Sequence, residues 1–369
     1  MSDTHRLVTR DGRVAVTVLD YGLTIHKIEV QAHKHVYDIL AGPEDAGVHS
    51  TNGRQFFGPV IGRYANRLPA GRQHAGGVTL HLDEWGGANI HHHGGPPRTM
   101  ASPAGNEQRG PWDCVVWTHT DTPQLFSAQE QDAWDAAGIW AIESPDGDQG
   151  YPGRLRVEAC IGVRSAPEHL GTVHVEYRAR LMDATEATPL NMTQHWGFYL
   201  GSPIHSVLDH TLQLGSPDAP LERLALDADG VPTGTLLPCT DAAHNWRCGK
   251  PIGQAMPDQG YDDFYVWGPT MARVAQLRGA WGLAIHVTTN QTGVQLYTAN
   301  VARPLNGAAK QAHTLDSSMY GPHCAAFLEF SAPHATFLRA PLADRAATDT
   351  MLHRGETYRH VVDISIEEV

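Results

Sequence analysis

The sequence has no run of eighteen apolar residues, and its first stretch, MSDTHRLVTRDGR, holds no apolar core of the kind a secretory leader carries. A membrane-spanning helix and export are therefore not expected, and the expected location is the cytoplasm. Cysteine is scarce. The five thiols (Cys114, Cys160, Cys239, Cys248 and Cys324) are odd in number and widely spaced, and no CxxC pair occurs. That argues against a disulfide framework and against a cysteine-based zinc site. Basic residues are also in deficit: 27 Lys and Arg face 40 Asp and Glu, a net charge of -13, and no basic stripe could neutralise successive phosphates. Nucleic acid is not an expected partner. There is no Walker or Rossmann glycine signature, so no nucleotide cofactor is expected. Helical periodicity is rare as well, with the best stretch at Gln129 to Ala137.

What the chain does contain is strand and turn chemistry. Its 37 Gly and 24 Pro are spread along the whole length, which suggests many turns and short strands. Apolar residues alternate through Leu155, Val157, Ala159, Ile161 and Val163, placing one face inward and Arg154, Arg156 and Glu158 outward. The alternation returns at Val173, Val175, Tyr177, Ala179 and Leu181. Turn residues Ser165, Pro167 and Gly171 lie between, so the two runs predict an antiparallel hairpin. Further strands are predicted at Val14 to Val18, Leu23 to Val30, Thr211 to Leu214, Gly282 to Thr288, Gly293 to Tyr297, Ala325 to Phe330 and Tyr358 to Ile364. Strands without interleaved helices predict an all-β fold, a large antiparallel β-sandwich with few short helices, running as one domain over residues 1–369.

Four segments carry candidate chemistry. FGPVIGRYANRLPAGR, from Phe57 to Arg72, combines turn glycines with Arg63 and the Asn66-Arg67 pair, donors and acceptors suited to a polyhydroxylated ligand or to a solvated turn. His91-His92-His93 precedes a Gly pair; neighbouring side chains on a strand point to opposite faces, so the three cannot converge on one ion. His33 and His35 share a face but lack a third ligand, and no metal is expected. In Thr188 to Gly201, TPLNMTQHWGFYLG, the polar Asn191, Thr193 and His195 alternate with apolar Leu190 and Met192, so His195 is either a satisfied structural histidine or a proton donor in a cleft. Glu329 is the one acid in AAFLEF, on a face with Ala325 and Phe327; it is either an edge residue turned to water or a base strengthened by desolvation. Asp262, in GYDDF, is a turn or ligand-binding acid.

In chain order, VLDYGLTIHKIEV, DILAGPED, IGRYANRLPAGR, SPDGDQGYPG, TPLNMTQHWGFYLG, GYDDF, GVQLYTAN and LHRGETYRH each resemble motifs of the aldose 1-epimerases, or galactose mutarotases. The resemblance runs nearly end to end. It implies a β-supersandwich with its site in a cleft on the concave face, and a monosaccharide as substrate. It also implies that Asn66, Arg67 and Asp262 bind sugar hydroxyls, His93 sits beside the ring oxygen, His195 donates the proton and Glu329 is the base. Gln194, Trp196, Asp263 and the run from Phe330 to His334 depart from the pattern around the chemistry, where they are expected to tune substrate preference, as is a loop at Thr118 to Ser144.

Anomer interconversion needs one acid and one base and no cofactor. Three other readings compete. A hexose 6-phosphate mutarotase would use Arg54, Arg63, Arg67 and Arg72 for phosphate; a glycoside hydrolase would pair Glu329 with Asp262; a non-catalytic sugar-binding module would use the nine tryptophans for stacking. A monomer or homodimer is expected.

Overall fold

In the computed structural model, residues 3–51, 53–97, 100–101, 108–269, 272–304, 308–310, 312–314 and 319–369 are described. Two antiparallel sheets carry the architecture. The larger has nine strands in the order Thr118–His119, Ala136–Ser144, Leu155–Arg164, Gly171–Leu181, Tyr358–Glu368, Leu283–Thr289, Arg273–Arg278, Thr211–Leu214 and Lys250–Pro251. The smaller has six: Gly197–Phe198, Ala326–Ser331, Gly293–Tyr297, Asp262–Val266, Glu222–Leu226 and Pro232–Pro238. An N-terminal sheet of four strands, Thr4–Val8, Val14–Leu19, Thr24–Ala32 and His35–Asp38, packs beside them. The predicted hairpin is present, with Val163 opposite Val173 and Leu155 opposite Leu181.

Period-two alternation decides which side chains meet. Val157, Ala159 and Ile161 of the large sheet, Val16 and Val18 of the N-terminal sheet, and Val294, Leu296, Leu328 and Phe330 of the small sheet enter one buried cluster. Each buried Val, Leu, Ile or Phe of this kind stabilises the fold by about 1.5–3 kcal/mol relative to exposure. The intervening residues of the small sheet point the other way, and that second face bears the site.

The helix predicted at Gln129 to Ala137 forms only at its start. Helix covers only Ala128–Gln131, capped by Ser127 with a reciprocal bond to Glu130. Ala136 and Ala137 open a nine-residue strand whose partners Val163 and Gly162 give it more than an isolated helical turn would. Of the stretch from Thr118 to Ser144, expected to be a loop near the substrate, Thr118–His119 and Ala136–Ser144 belong to the edge of the large sheet, and none of its residues lines the cavity described below. Glu158 also departs from expectation. It does point away from the core, but the 120s segment covers it completely, and it accepts hydrogen bonds from the backbone N–H groups of Gln124 (2.9 Å) and Leu125 (2.8 Å) and from Arg156 Nη2 (2.8 Å). None of the described helices is long and apolar enough to cross a membrane.

Several of the 23 histidines are interior. His26 Nδ1 lies 3.0 Å from His49 Nε2, beside a buried Lys310 whose Nζ donates to Asp38 Oδ2 (2.6 Å), His26 O (2.8 Å) and Leu40 O (2.7 Å). Burial, aided by Lys310, pulls His26 down to about 2 and His49 and His313 to about 3. Burial also lowers His334 and His360 to about 3. These rings stay neutral in the fold, whereas the same residues in the unfolded chain protonate near pH 6.5. Their contribution is complete above that pH and is lost as pH falls towards 3. Unfolding near pH 4 should therefore take up about five protons at these positions, and calorimetry across pH 7 to 4 should show a steep fall in melting temperature. A melting temperature flat over that range would contradict the account.

Candidate functional site

The three central strands of the small sheet pair so that Gln295 stands opposite Glu329, and Tyr297 opposite Asp262 and Phe327. Val294, Leu296, Leu328 and Phe330 occupy the core face, so Glu329, Gln295 and Asp262 project from the other face into a cavity of about 410 Å³. That size suits a small ligand. Arg54, Phe56, Asn66, Arg67, His92, His93 and His195 are also among the lining residues, so all six site residues expected from the sequence converge here.

His195 arrives between two very short strands, Thr193–Gln194 and Gly197–Phe198, the second paired with Ala326–Ser331. Its Nε2 lies 3.0 Å from Glu329 Oε1, and both side chains are 5% exposed. The imidazole stacks on Phe56 at 5.5 Å and meets the edge of Phe327 at 4.9 Å, while its Nδ1 has no hydrogen-bond partner among the described residues. The contact with Glu329 is thus the polar bond that orients the ring. Thr193, on the same side of the alternation, donates to Phe330 O at 2.9 Å and ties this segment to the Glu329 strand.

His93 is held differently. The backbone N–H of Asn66 reaches its Nδ1 at 3.1 Å. A backbone N–H always donates, so Nδ1 is the acceptor and the ring hydrogen sits on Nε2. Burial first, then the neighbouring His92, His195, Arg54 and Arg67, push His93 well below the usual histidine range and keep it neutral. Of the histidine run, His93 faces His195 with ring centres 5.4 Å apart, and His92 also lines the cavity. His91 turns away, bonding Asp83 O through Nδ1 at 2.8 Å.

At the opposite wall, four side chains close a ring of hydrogen bonds. Arg67 Nη2 donates to Asp262 Oδ2 (3.1 Å), Gln295 Nε2 to Asp262 Oδ1 (2.7 Å), Asn66 Nδ2 to Gln295 Oε1 (2.9 Å), and Arg67 Nη1 to Asn66 Oδ1 (3.4 Å). The Asp262 side chain is still 40% exposed, so its carboxylate has lone pairs left for a ligand hydroxyl. Gln295 was not singled out from the sequence, although it sits in the GVQLYTAN motif; its strand partner Glu329 was the available signal.

Other expectations change. Arg63 is 2% exposed and donates to Ser144 O (3.1 Å), Pro145 O (2.7 Å) and Pro152 O (3.0 Å), stapling the SPDGDQGYPG turn instead of meeting a ligand. Arg72 lies exposed on the Gly71–Ala75 hairpin, outside the cavity. Gln194 and Trp196 alternate into the interior: Gln194 bonds Tyr177 and the Gly58 carbonyl, and Trp196 and Phe330 belong to the core. Asp263 lies beside Arg223 (3.5 Å), behind the cavity wall. Neither Gln194, Trp196, Asp263 nor any residue from Phe330 to His334 is among the residues that line the cavity.

One atom each from His93, His195 and Glu329 lie within 4.8 Å of one another, a spacing a metal ion could use. A ligating imidazole presents a lone pair to the ion and usually donates from its other nitrogen. His93 has the reverse arrangement, with Nδ1 accepting and Nε2 carrying hydrogen, and so fits a hydrogen-bond donor better than a ligand.

The pattern of the aldose 1-epimerase family matches residues 5–365. The chain is 28% identical over 319 residues to mouse galactose mutarotase, covering 83% of this chain and 81% of that one. It is 27% identical over 310 residues to Escherichia coli aldose 1-epimerase, covering 80% and 79%. Among solved structures, a GalM/aldose epimerase homologue from C. elegans superposes with a TM-score of 0.78 over 100% of both chains at 18% identity. Galactose 1-epimerase from Lactobacillus acidophilus gives 0.70 at 21% identity, covering 100% of this chain and 99% of that one. With this match spanning almost its whole length, the chain belongs to the aldose 1-epimerase family of isomerases.

Proposed function

We propose that the protein interconverts the α and β anomers of a free aldose, with Glu329 as general base and His195 as general acid. The observation that carries this reading is the buried 3.0 Å contact between His195 and Glu329, facing a cavity whose far wall is the Asn66–Arg67–Asp262–Gln295 ring. Sugar entering the cavity exchanges that contact for two substrate contacts. Glu329 removes the O1 proton, His195 delivers a proton to the ring oxygen, and the bond between C1 and the ring oxygen breaks to give the aldehyde. A half-turn about the C1–C2 bond presents the other carbonyl face. On closure, the former ring oxygen attacks C1 and returns its proton to His195, while Glu329 protonates O1, so both groups end as they began. His93, neutral and with hydrogen on Nε2, serves as a donor to the ring oxygen region, and Asn66, Arg67, Asp262 and Gln295 grip hydroxyls.

A free sugar is favoured over a sugar phosphate because Arg54 and Arg63 are committed to protein acceptors and Arg67 to Asp262. A hydrolase reading is weakened because Glu329 pairs with an imidazole, and both Asp262 oxygens already accept hydrogen bonds. Galactose is the first sugar to test, since relatives bear its name.

NMR exchange between anomers, measured on glucose, galactose, xylose, arabinose and fucose, tests the reaction directly. Glu329→Gln and His195→Asn are each expected to lower turnover by about 100- to 10,000-fold. Absence of exchange by the wild-type protein on every sugar, or near wild-type rates in either variant, would sink the assignment.

Opening the polar ring should act on binding. Asp262→Ala and Gln295→Ala each remove hydrogen bonds around a charged group and are expected to weaken sugar affinity by roughly 1–3 kcal/mol, seen as a raised KM. Saturation curves identical to wild type would refute the hydroxyl-binding role.

A further inference from the structure

His93 is fixed through its ring by Asn66, but its backbone needs support of its own. Its φ is +48°, and Gly94 and Gly95 follow at +75° and +102°, a left-handed run that a non-glycine residue adopts only when its surroundings hold it there. The carbonyls of this turn point to Arg54, whose Nη2 donates to His93 O at 2.8 Å and whose Nη1 donates to Gly95 O at 2.7 Å. The same guanidinium grips both oxygens of Asp113, through Nε and Nη2, at 2.7 Å each. The Arg54 and Asp113 side chains are 7% and 3% exposed. Phe56 lies 4.8 Å from the guanidinium carbon, and the same Phe56 ring stacks on His195.

We infer that Arg54 is a positioning residue for the anomerisation site, a buried clamp that sets the His93 turn. The inference rests on the reaction proposed above. Its geometry requires arginine: a planar fork reaches a carboxylate and two carbonyls at once, whereas the lysine ammonium is a point donor. The cation also disfavours a second positive charge on the adjacent histidines, which helps keep His93 a neutral donor. Asp113 balances the buried charge, and its place in the Trp112–Cys114 turn anchors the clamp to the interior.

The test is a double-mutant cycle in the anomer-exchange assay, with melting curves on every variant. Arg54→Lys keeps the charge and removes the fork; a misplacement of order 1 Å can cost about 100-fold, and a loss of that order in kcat/KM is expected in the wild-type background. In a His93→Ala background the group being positioned is gone, so the same substitution should cost less than about threefold. A role in general stability predicts equal losses in both backgrounds, and that result, or a wild-type rate in Arg54→Lys, would overturn the inference. If Arg54→Lys does not fold, Arg54→Gln combined with Asp113→Asn removes both charges together and is judged by the same criterion. Failure of both to fold would assign Arg54 to stability alone and overturn the inference too. Wild-type protein without exchange activity would instead remove the proposed reaction, a distinct outcome.

Discussion

The register of three strands governs the rest of this structure. Asp262–Val266, Gly293–Tyr297 and Ala326–Ser331 pair so that Phe264, Gln295 and Glu329 stand level, with Tyr265, Val294 and Leu328 or Phe330 on the reverse side. A slip of one residue would exchange the faces, sending Glu329 into the hydrophobic core and the core residues to the cavity. The same apolar residues that drive sheet packing therefore set the direction of the acid, and the face that lines the cavity follows from the core face.

A carboxylate so placed must be compensated. Glu329 finds the His195 imidazole, and Asp262 finds Arg67 and Gln295. Removing one partner of a buried polar network leaves the other desolvated and unmatched, so these groups hold each other in place. Left-handed backbone at Phe56 (φ +55°), Asn66 (φ +64°) and His93 (φ +48°) belongs to the same arrangement. Each of the three side chains lines the cavity, and at Asn66 and His93 hydrogen bonds hold the strained backbone: Asn66 Oδ1 accepts from Arg67 N at 2.9 Å, and Arg54 takes the His93 carbonyl.

Much of this was legible in the sequence because period-two alternation is a short-range signal. The 155–181 hairpin, the strands at 211–214 and 293–297, and the placement of Glu329 with Phe327 all follow from it. The resemblance of ordered motifs then located His93, His195, Asn66, Arg67 and Asp262. Other features depended on partners distant in the chain. Gln129 to Ala137 reads as helix until Val163 offers Ala136 a neighbouring strand. Glu158 reads as solvated until the 120s segment folds over it. Gln194 and Trp196 looked like changes at the reacting centre, yet alternation around His195 sends both inward.

Arginine shows most clearly why composition alone could not separate ligand contacts from scaffolding. Arg54, Arg63 and Arg67 lie within fourteen positions of one another, and all three are candidates for an anionic ligand by residue type. The acceptors around them decide otherwise. Arg63 meets three backbone carbonyls and becomes a staple, Arg54 meets a carboxylate and two carbonyls and becomes a clamp at the cavity wall with only 7% of its side chain exposed, and Arg67 leaves 24% of its side chain exposed there. A site whose cations are already satisfied has little charge to spare for phosphate, but its remaining lone pairs and N–H groups match hydroxyls, which both donate and accept. The neutral sugar proposed as substrate thus suits a fold that uses up its own charges before any ligand arrives.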